Sequence, residues 1–198
     1  VVSERGISAF FHGRKFGFKS ASTDVETVFS DQDINAVIIA SRHNDHASQV
    51  LNALKNSKHV FCEKPLCLNL SELRTIQCEL KKDPGRLLFV GFNRRFSPIT
   101  LKIKELLDQV TSPATFVYNV NAGAIPNNHW LQDPQIGGRR IIGEVCHFID
   151  YLRFLASAPI MEYHALSLGD NTAQTYIDDD KTSITLKFEN GSLGVINY

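Results

Sequence analysis

The residues best suited to moving protons stand where apolar runs end. Lys64 lies in Glu63-Lys64-Pro65, directly after His59-Val60-Phe61-Cys62, and His147 lies in Gly143-Glu144-Val145-Cys146-His147-Phe148-Ile149-Asp150. Lysine and histidine make a workable acid/base pair, and Glu144 and Asp150 add carboxylates beside the histidine. A partly desolvated lysine has its ammonium disfavoured, so it carries a proton at neutral pH or anchors an alkoxide. The proline after Lys64 restricts that residue's backbone and is a candidate for a cis bond. Each feature also has a plain structural reading. Glu63-Lys64-Pro65 fits a strand ending in a polar turn, and His147 fits a core histidine with local hydrogen bonds.

Two further polar clusters follow apolar runs: Ser41-Arg42-His43-Asn44-Asp45-His46 after residues 36–40, and Asn93-Arg94-Arg95 after residues 87–90. Arg94 or Arg95 can bind a carboxylate or phosphate through its forked donors, or sit on the surface at a helix end. His43 and His46 form an H-x-x-H pair. No third ligand is near in sequence, and a helix start at Asn44 or Asp45 explains the polarity, so no metal is expected. Trp130, in Asn127-Asn128-His129-Trp130, is an aromatic platform for a sugar or a packing residue.

The elements that must position these groups fall into two kinds. Up to about residue 112, short apolar runs alternate with amphipathic stretches, the pattern of an α/β parallel sheet. Strands are expected at 36–40, 59–62 and 87–90, and a helix at about 6–16. Thr23 with Glu26 and Asn69 with Glu72 read as capping boxes, and Ser97-Pro98 as an N-cap with proline at the first helical position. Beyond residue 112 the strands lengthen, at 114–121, 182–188 and 192–197, with Asn190-Gly191 as a hairpin turn and one helix at about 140–155. The fold class is therefore α/β, a Rossmann-like parallel sheet in 1–112, followed by an α+β domain with an open, mostly antiparallel sheet in 113–198. In a parallel sheet, ligands gather at the carboxyl ends of the strands, where every cluster above lies.

Composition narrows the partners. The 21 basic and 21 acidic residues balance to zero formal charge and are interleaved, which argues against nucleic acid, whose phosphates demand clustered cations. The apolar runs fall far short of the roughly 20 residues of a membrane span. Cys62, Cys67, Cys78 and Cys146 show no metal-site or redox spacing, which points to a reduced, cytoplasmic protein.

The motifs together resemble the Gfo/Idh/MocA family of NAD(P)-dependent sugar and cyclitol dehydrogenases. The resemblance implies a cofactor, NAD or NADP, and a small-molecule sugar or cyclitol substrate whose secondary hydroxyl is oxidised. It implies that Ser41, Arg42, His43 and His46 occupy the loop that contacts the cofactor, where many relatives carry Thr-Pro-Asn. Glu63 would contact the nicotinamide ribose, Lys64 would face the substrate beside Pro65, and Asn93 would reach the nicotinamide end, with Arg94, Trp130 and Asp150 toward the substrate. His147 would be the general acid/base. Relatives usually carry an aspartate four residues before this histidine, where this chain has Gly143; Glu144, the nearest carboxylate, is about 100 degrees further round a helix. The resemblance also implies a homo-oligomer formed through the second-domain sheet. No G-x-G-x-x-G occurs in the sequence, and the family's pattern leads to the expectation that Val1-Val2 ends a second strand and that the chain is a piece of a longer reading frame. Two other activities stay open: a cofactor-retaining lyase or hydrolase of the same fold, and a catalytically silent sugar-binding or oligomer-partner subunit.

Overall fold

A computed structural model describes residues 1–167 and 181–198. Three short strands, β1 (Ala36–Ile39), β2 (His59–Cys62) and β3 (Leu88–Val90), form a parallel sheet in the order β1-β2-β3. Their alternation decides what they bury: Val37, Ile39, Val60 and Cys62 turn to one face and Ile38, Phe61 and Phe89 to the other. The first face packs on α3 (His43–Lys55), through Ala47, Val50, Ala53 and Leu54, and on Ile76 of α4 (Leu70–Leu80), with Phe29 closing one end. At about 25 cal/mol per Å² of apolar surface, this packing is what holds the sheet while its loops stay polar. Helix α1 (Gly6–Lys15) and the short α2 (Glu26–Phe29) precede the sheet.

The expected caps at residues 69 and 97 are present. Asn69 Oδ1 accepts from Glu72 N–H at 3.0 Å, while Glu72 Oε2 reaches back to Leu68 N–H at 2.9 Å. Ser97 Oγ accepts from Thr100 N–H at the start of α5 (Pro98–Leu107), with proline in the first turn. The capping box at Thr23 is not formed. Asp24 takes the role through Oδ1 to Glu26 N–H at 3.0 Å, because the helix begins two residues later than the Thr23 spacing requires. Val2 makes an isolated parallel bridge to Ser22.

The second sheet has the order β4-β7-β6-β5, from β4 (Thr115–Asn119), β5 (Ile160–Ser167), β6 (Thr182–Phe188) and β7 (Leu193–Asn197). Only β4 and β7 pair in parallel, and Gly191, at φ 84°, makes the β6–β7 turn. Helix α6 (Cys146–Ala156) lies on one face, where Phe148 and Leu152 meet Ile184, Leu186, Phe188 and Ile196. The helix expected at 140–155 is thus present, but its first turn, Ile141–Val145, is a π turn. Wide turns of this kind are rare and concentrate at functional sites. Strand β5 was not anticipated. It is an edge strand, exposed along almost all its length, so it lacks the apolar alternation that marks a half-buried strand.

The two halves meet through the segment after β3. There the 3₁₀ turn Asn93–Phe96 carries Arg95, which pairs with buried Asp150 of α6 through both carboxylate oxygens.

Candidate active site

The loops after β1, β2 and β3 open toward the π turn and the start of α6, and a cleft of about 490 Å³ lies between them. Lys64, His147, Glu144, His43, Arg94 and Trp130 all line it. Residues far apart in the chain and singled out by type alone therefore share one space.

Lys64 enters this space from a strand end whose next peptide bond, to Pro65, is cis. Its Nζ donates to the backbone carbonyl of Gly143 at 2.7 Å. The amine is thus held by a main-chain oxygen. Gly143 is tight. A Cβ there would stand 3.1 Å from the Gly137 carbonyl oxygen and 3.2 Å from His43 Cε1. Gly137 is tighter still, since a Cβ would fall 2.4 Å from Leu131 Cα, an overlap that no real side chain survives. Bare backbone at these two positions lets the loop and the π turn close on the strand ends.

His147 sits in the first turn of α6, buried, with Phe92 edge-on at 6.1 Å between centroids. Its Nδ1 is buried with no hydrogen-bond partner among the described residues. Burial first, then the positive charges of Lys64 and Arg94, push its pKa down to about 4. The ring is therefore neutral at physiological pH and able to accept a proton. Cys146, next in the chain, is no nucleophile, because burial pushes its thiol up to about 11.

Glu144 lines the cleft but is held by others. Tyr198 Oη donates to its Oε2 at 2.5 Å, and Arg140 donates to the same phenol at 2.6 Å while lying 3.6 Å from the carboxylate. Arg140 also donates to Gly123 O, tying the loop before Trp130 to the π turn. Arg94 lies over the Phe148 ring at 4.8 Å, with the cleft on its other side. The Trp130 and His43 rings meet in a T-shaped arrangement at 4.9 Å, 77° between planes, and Arg42 lies 5.7 Å from the Trp130 centroid.

Two of the expected site residues are engaged by the protein itself. His46 is fully buried, with Nδ1 2.7 Å from the Pro65 carbonyl and Nε2 3.1 Å from the Ser41 carbonyl, so both ring nitrogens are occupied in bracing the two loops. Asp150 is committed to Arg95, whose guanidinium takes both oxygens. Arg140 and Tyr198 are the residues that sequence reasoning passed over as site members, and nothing in the sequence marks Tyr198.

Ser41, Arg42, Glu63, Pro65 and Asn93 lie outside the cleft lining, on the rim at the carboxyl ends of β1, β2 and β3. Their chemistry suits a dinucleotide. A Cβ at Gly91 would meet Glu63 Oε2 at 2.9 Å, so glycine there lets the carboxylate lie against the end of β3, an acceptor placed for sugar hydroxyls. Ser41 and Arg42 precede the N-terminus of α3, whose dipole favours an anion. The residues present thus fit a nicotinamide dinucleotide along this edge.

Comparison with known proteins agrees with this arrangement. The model for "Oxidoreductase family, NAD-binding Rossmann fold" of the Gfo/Idh/MocA proteins matches residues 3–92, and the "GFO/IDH/MocA C-terminal domain" model matches residues 105–198. The chain belongs to the Gfo/Idh/MocA oxidoreductase family. It is 32% identical over 185 residues to myo-inositol 2-dehydrogenase of Thermotoga maritima, covering 92% of this chain and 55% of that protein. It is 26% identical to levoglucosan dehydrogenase of Pseudarthrobacter phenanthrenivorans, over 92% of this chain and 54% of that protein. A crystal structure of a probable dehydrogenase from Thermotoga maritima superposes with a TM-score of 0.85 at 30% identity, over 99% of this chain and 59% of that one. The fold is also that of levoglucosan dehydrogenase in complex with NADH and levoglucosan, TM-score 0.83 at 23% identity, over 99% and 56%. The chain spans about half the length of the curated relatives it matches.

The depressed pKa of His147 has a consequence for stability. Between about 4 and its ordinary value near 6.5, the unfolded chain binds a proton that the folded chain refuses. This contribution is complete above 6.5 and is lost as the pH falls toward 4. The melting temperature should therefore drop between pH 7 and pH 5, and His147→Gln should flatten that slope. Equal slopes in the two proteins would remove His147 as the source.

Proposed function

We propose that the protein is an NAD- or NADP-dependent dehydrogenase that oxidises a secondary hydroxyl of a sugar, sugar derivative or cyclitol. The observation that carries this reading is that Lys64 and His147 line one cleft at the carboxyl ends of the parallel strands. Residues 1–112 would hold the cofactor and residues 113–198 would supply the substrate wall. Glu63, Ser41, Arg42 and Asn93 would hold the dinucleotide, which when bound supplies a hydride acceptor.

The chain's own groups then divide the work. His147, neutral because it is buried, accepts the hydroxyl proton as the C–H bond breaks. Lys64, kept in place by the Gly143 carbonyl, donates to the substrate oxygen and stabilises its developing negative charge. Arg94 and Trp130 bound the cleft and orient the ring, the entropic part of catalysis. Glu144, fixed by Tyr198 and Arg140, presents a carboxylate edge to a further hydroxyl.

Two accompanying inferences concern setting. The four cysteines are free, which supports a reducing, cytoplasmic location. No helix among the described residues is long and apolar enough to cross a membrane. The outward face of the second sheet exposes Val117, Leu166 and Leu193 opposite the face covered by α6, which supports pairing with a second copy of the chain. Light scattering that reports a monomer at micromolar concentration would refute that pairing.

The test of function mixes the full polypeptide with NAD or NADP and a panel of myo-inositol, scyllo-inositol and levoglucosan. Net reduced cofactor is expected with at least one. Product without net reduction would indicate a lyase or hydrolase cycle instead, and calorimetry showing no cofactor binding would indicate a silent subunit. In the active pair, Lys64→Ala should lower turnover about a hundredfold or more with little change in melting temperature, the scale of a general acid/base group. Undiminished turnover would take Lys64 out of the mechanism.

A further inference from the structure

His43 belongs to the first turn of α3, and its ring lines the cleft with the His46 ring 5.7 Å away between centroids. Three contacts fix the imidazole. Its Nδ1 lies 2.8 Å from the Gly137 carbonyl oxygen, the Trp130 ring meets it at 4.9 Å, and Gly143 closes on its Cε1 edge. A carbonyl oxygen accepts only, so the proton is on Nδ1 and the lone pair of the neutral ring is on Nε2. Nε2 has no protein partner among the described residues. Burial, helped by the nearby charges of His46 and Lys64, lowers the ring's pKa and keeps it neutral. Facing the cleft, that acceptor is within reach of a donor on a bound molecule.

Lys64 Nζ is turned to the Gly143 carbonyl, and Glu144 accepts from Tyr198, so neither is bonded to Nε2. A neutral O–H or N–H group of a bound molecule can fill that place. Resting on the reading above that the cleft takes a polyol, we propose that His43 is a specificity-determining substrate contact, whose Nε2 accepts a hydrogen bond from a hydroxyl other than the one oxidised. The removal of a Cβ at Gly143 and the pull of the Gly137 carbonyl serve this placement, because together they hold the ring edge where a longer side chain at 143 would stand. A substrate lacking that hydroxyl would forgo the bond and bind more weakly.

The test separates the two ring nitrogens. Asparagine mimics the Nδ1 side of histidine and keeps a donor for Gly137, but ends short of Nε2; glutamine places an amide oxygen near the Nε2 position. In the full polypeptide, His43→Asn should weaken binding of the best of myo-inositol, scyllo-inositol and levoglucosan about tenfold and raise KM more than it lowers kcat, with NAD affinity by calorimetry unchanged. His43→Gln should recover part of the loss. Unaltered polyol affinity in His43→Asn, or a loss confined to NAD, would overturn the proposal. Nitrogen-15 spectra of the wild-type imidazole give an answer independent of folding in the variants: Nε2 of His43 should shift on adding the polyol, and a fixed Nε2 resonance at saturation refutes the contact. If the wild-type protein binds NAD and polyol but His43 is indifferent, only this inference fails; if it binds no polyol, the dehydrogenase reading fails with it.

Discussion

Two backbone carbonyls organise the cleft. Gly137 O holds His43 at 2.8 Å and Gly143 O holds Lys64 at 2.7 Å, and both oxygens come from a segment that reaches the strand ends because it has no side chains in the way. Main-chain acceptors differ from carboxylates in one useful respect. They place a basic group without adding a full negative charge beside it. Burial first, with the nearby positive charge of Lys64 adding to it, lowers the proton affinity of His147 and of His43.

The rest of the structure serves that closure. The π turn Ile141–Val145 separates the faces of Gly143 and Glu144, so that the first meets Lys64 and His43 while the second is drawn to Tyr198 at the end of the second sheet. Arg95 and Asp150 lock the segment after β3 to α6, a pair that fixes one half of the molecule against the other. Removing one partner of such a half-buried pair leaves a charge poorly compensated, so its value is in the geometry it enforces more than in net stability. His46 does similar work inside the first half, joining the loops after β1 and β2 by their carbonyls.

Much of this was legible in the residues. Glu63-Lys64-Pro65 and His147 stood out because a parallel sheet directs its polar loops to one edge, and the structure brings both to the same cleft. The parallel strands and the caps at Asn69 and Ser97 followed from alternation and helix-end chemistry. What escaped has physical causes. Strand β5 is wet on both faces, so pairing with β6 rather than any hydrophobic period defines it. Polar type alone did not separate His43, which points into the cleft, from His46, which is used up in backbone contacts. Asp150 looked free because its partner lies far away in sequence, on the turn after β3. The role of Tyr198 rests on a long-range contact to Glu144 that no local pattern encodes.

The central claim is that the amine of Lys64 and the imidazole of His147 share one desolvated space. The most direct measurement is the titration of the His147 ring by nitrogen-15 spectroscopy in wild type and in Lys64→Met. The wild-type ring should titrate well below the ordinary histidine range, at about 4, and loss of the lysine charge should move it upward. A ring that titrates near its ordinary value, or one that does not respond to the substitution, would contradict the account.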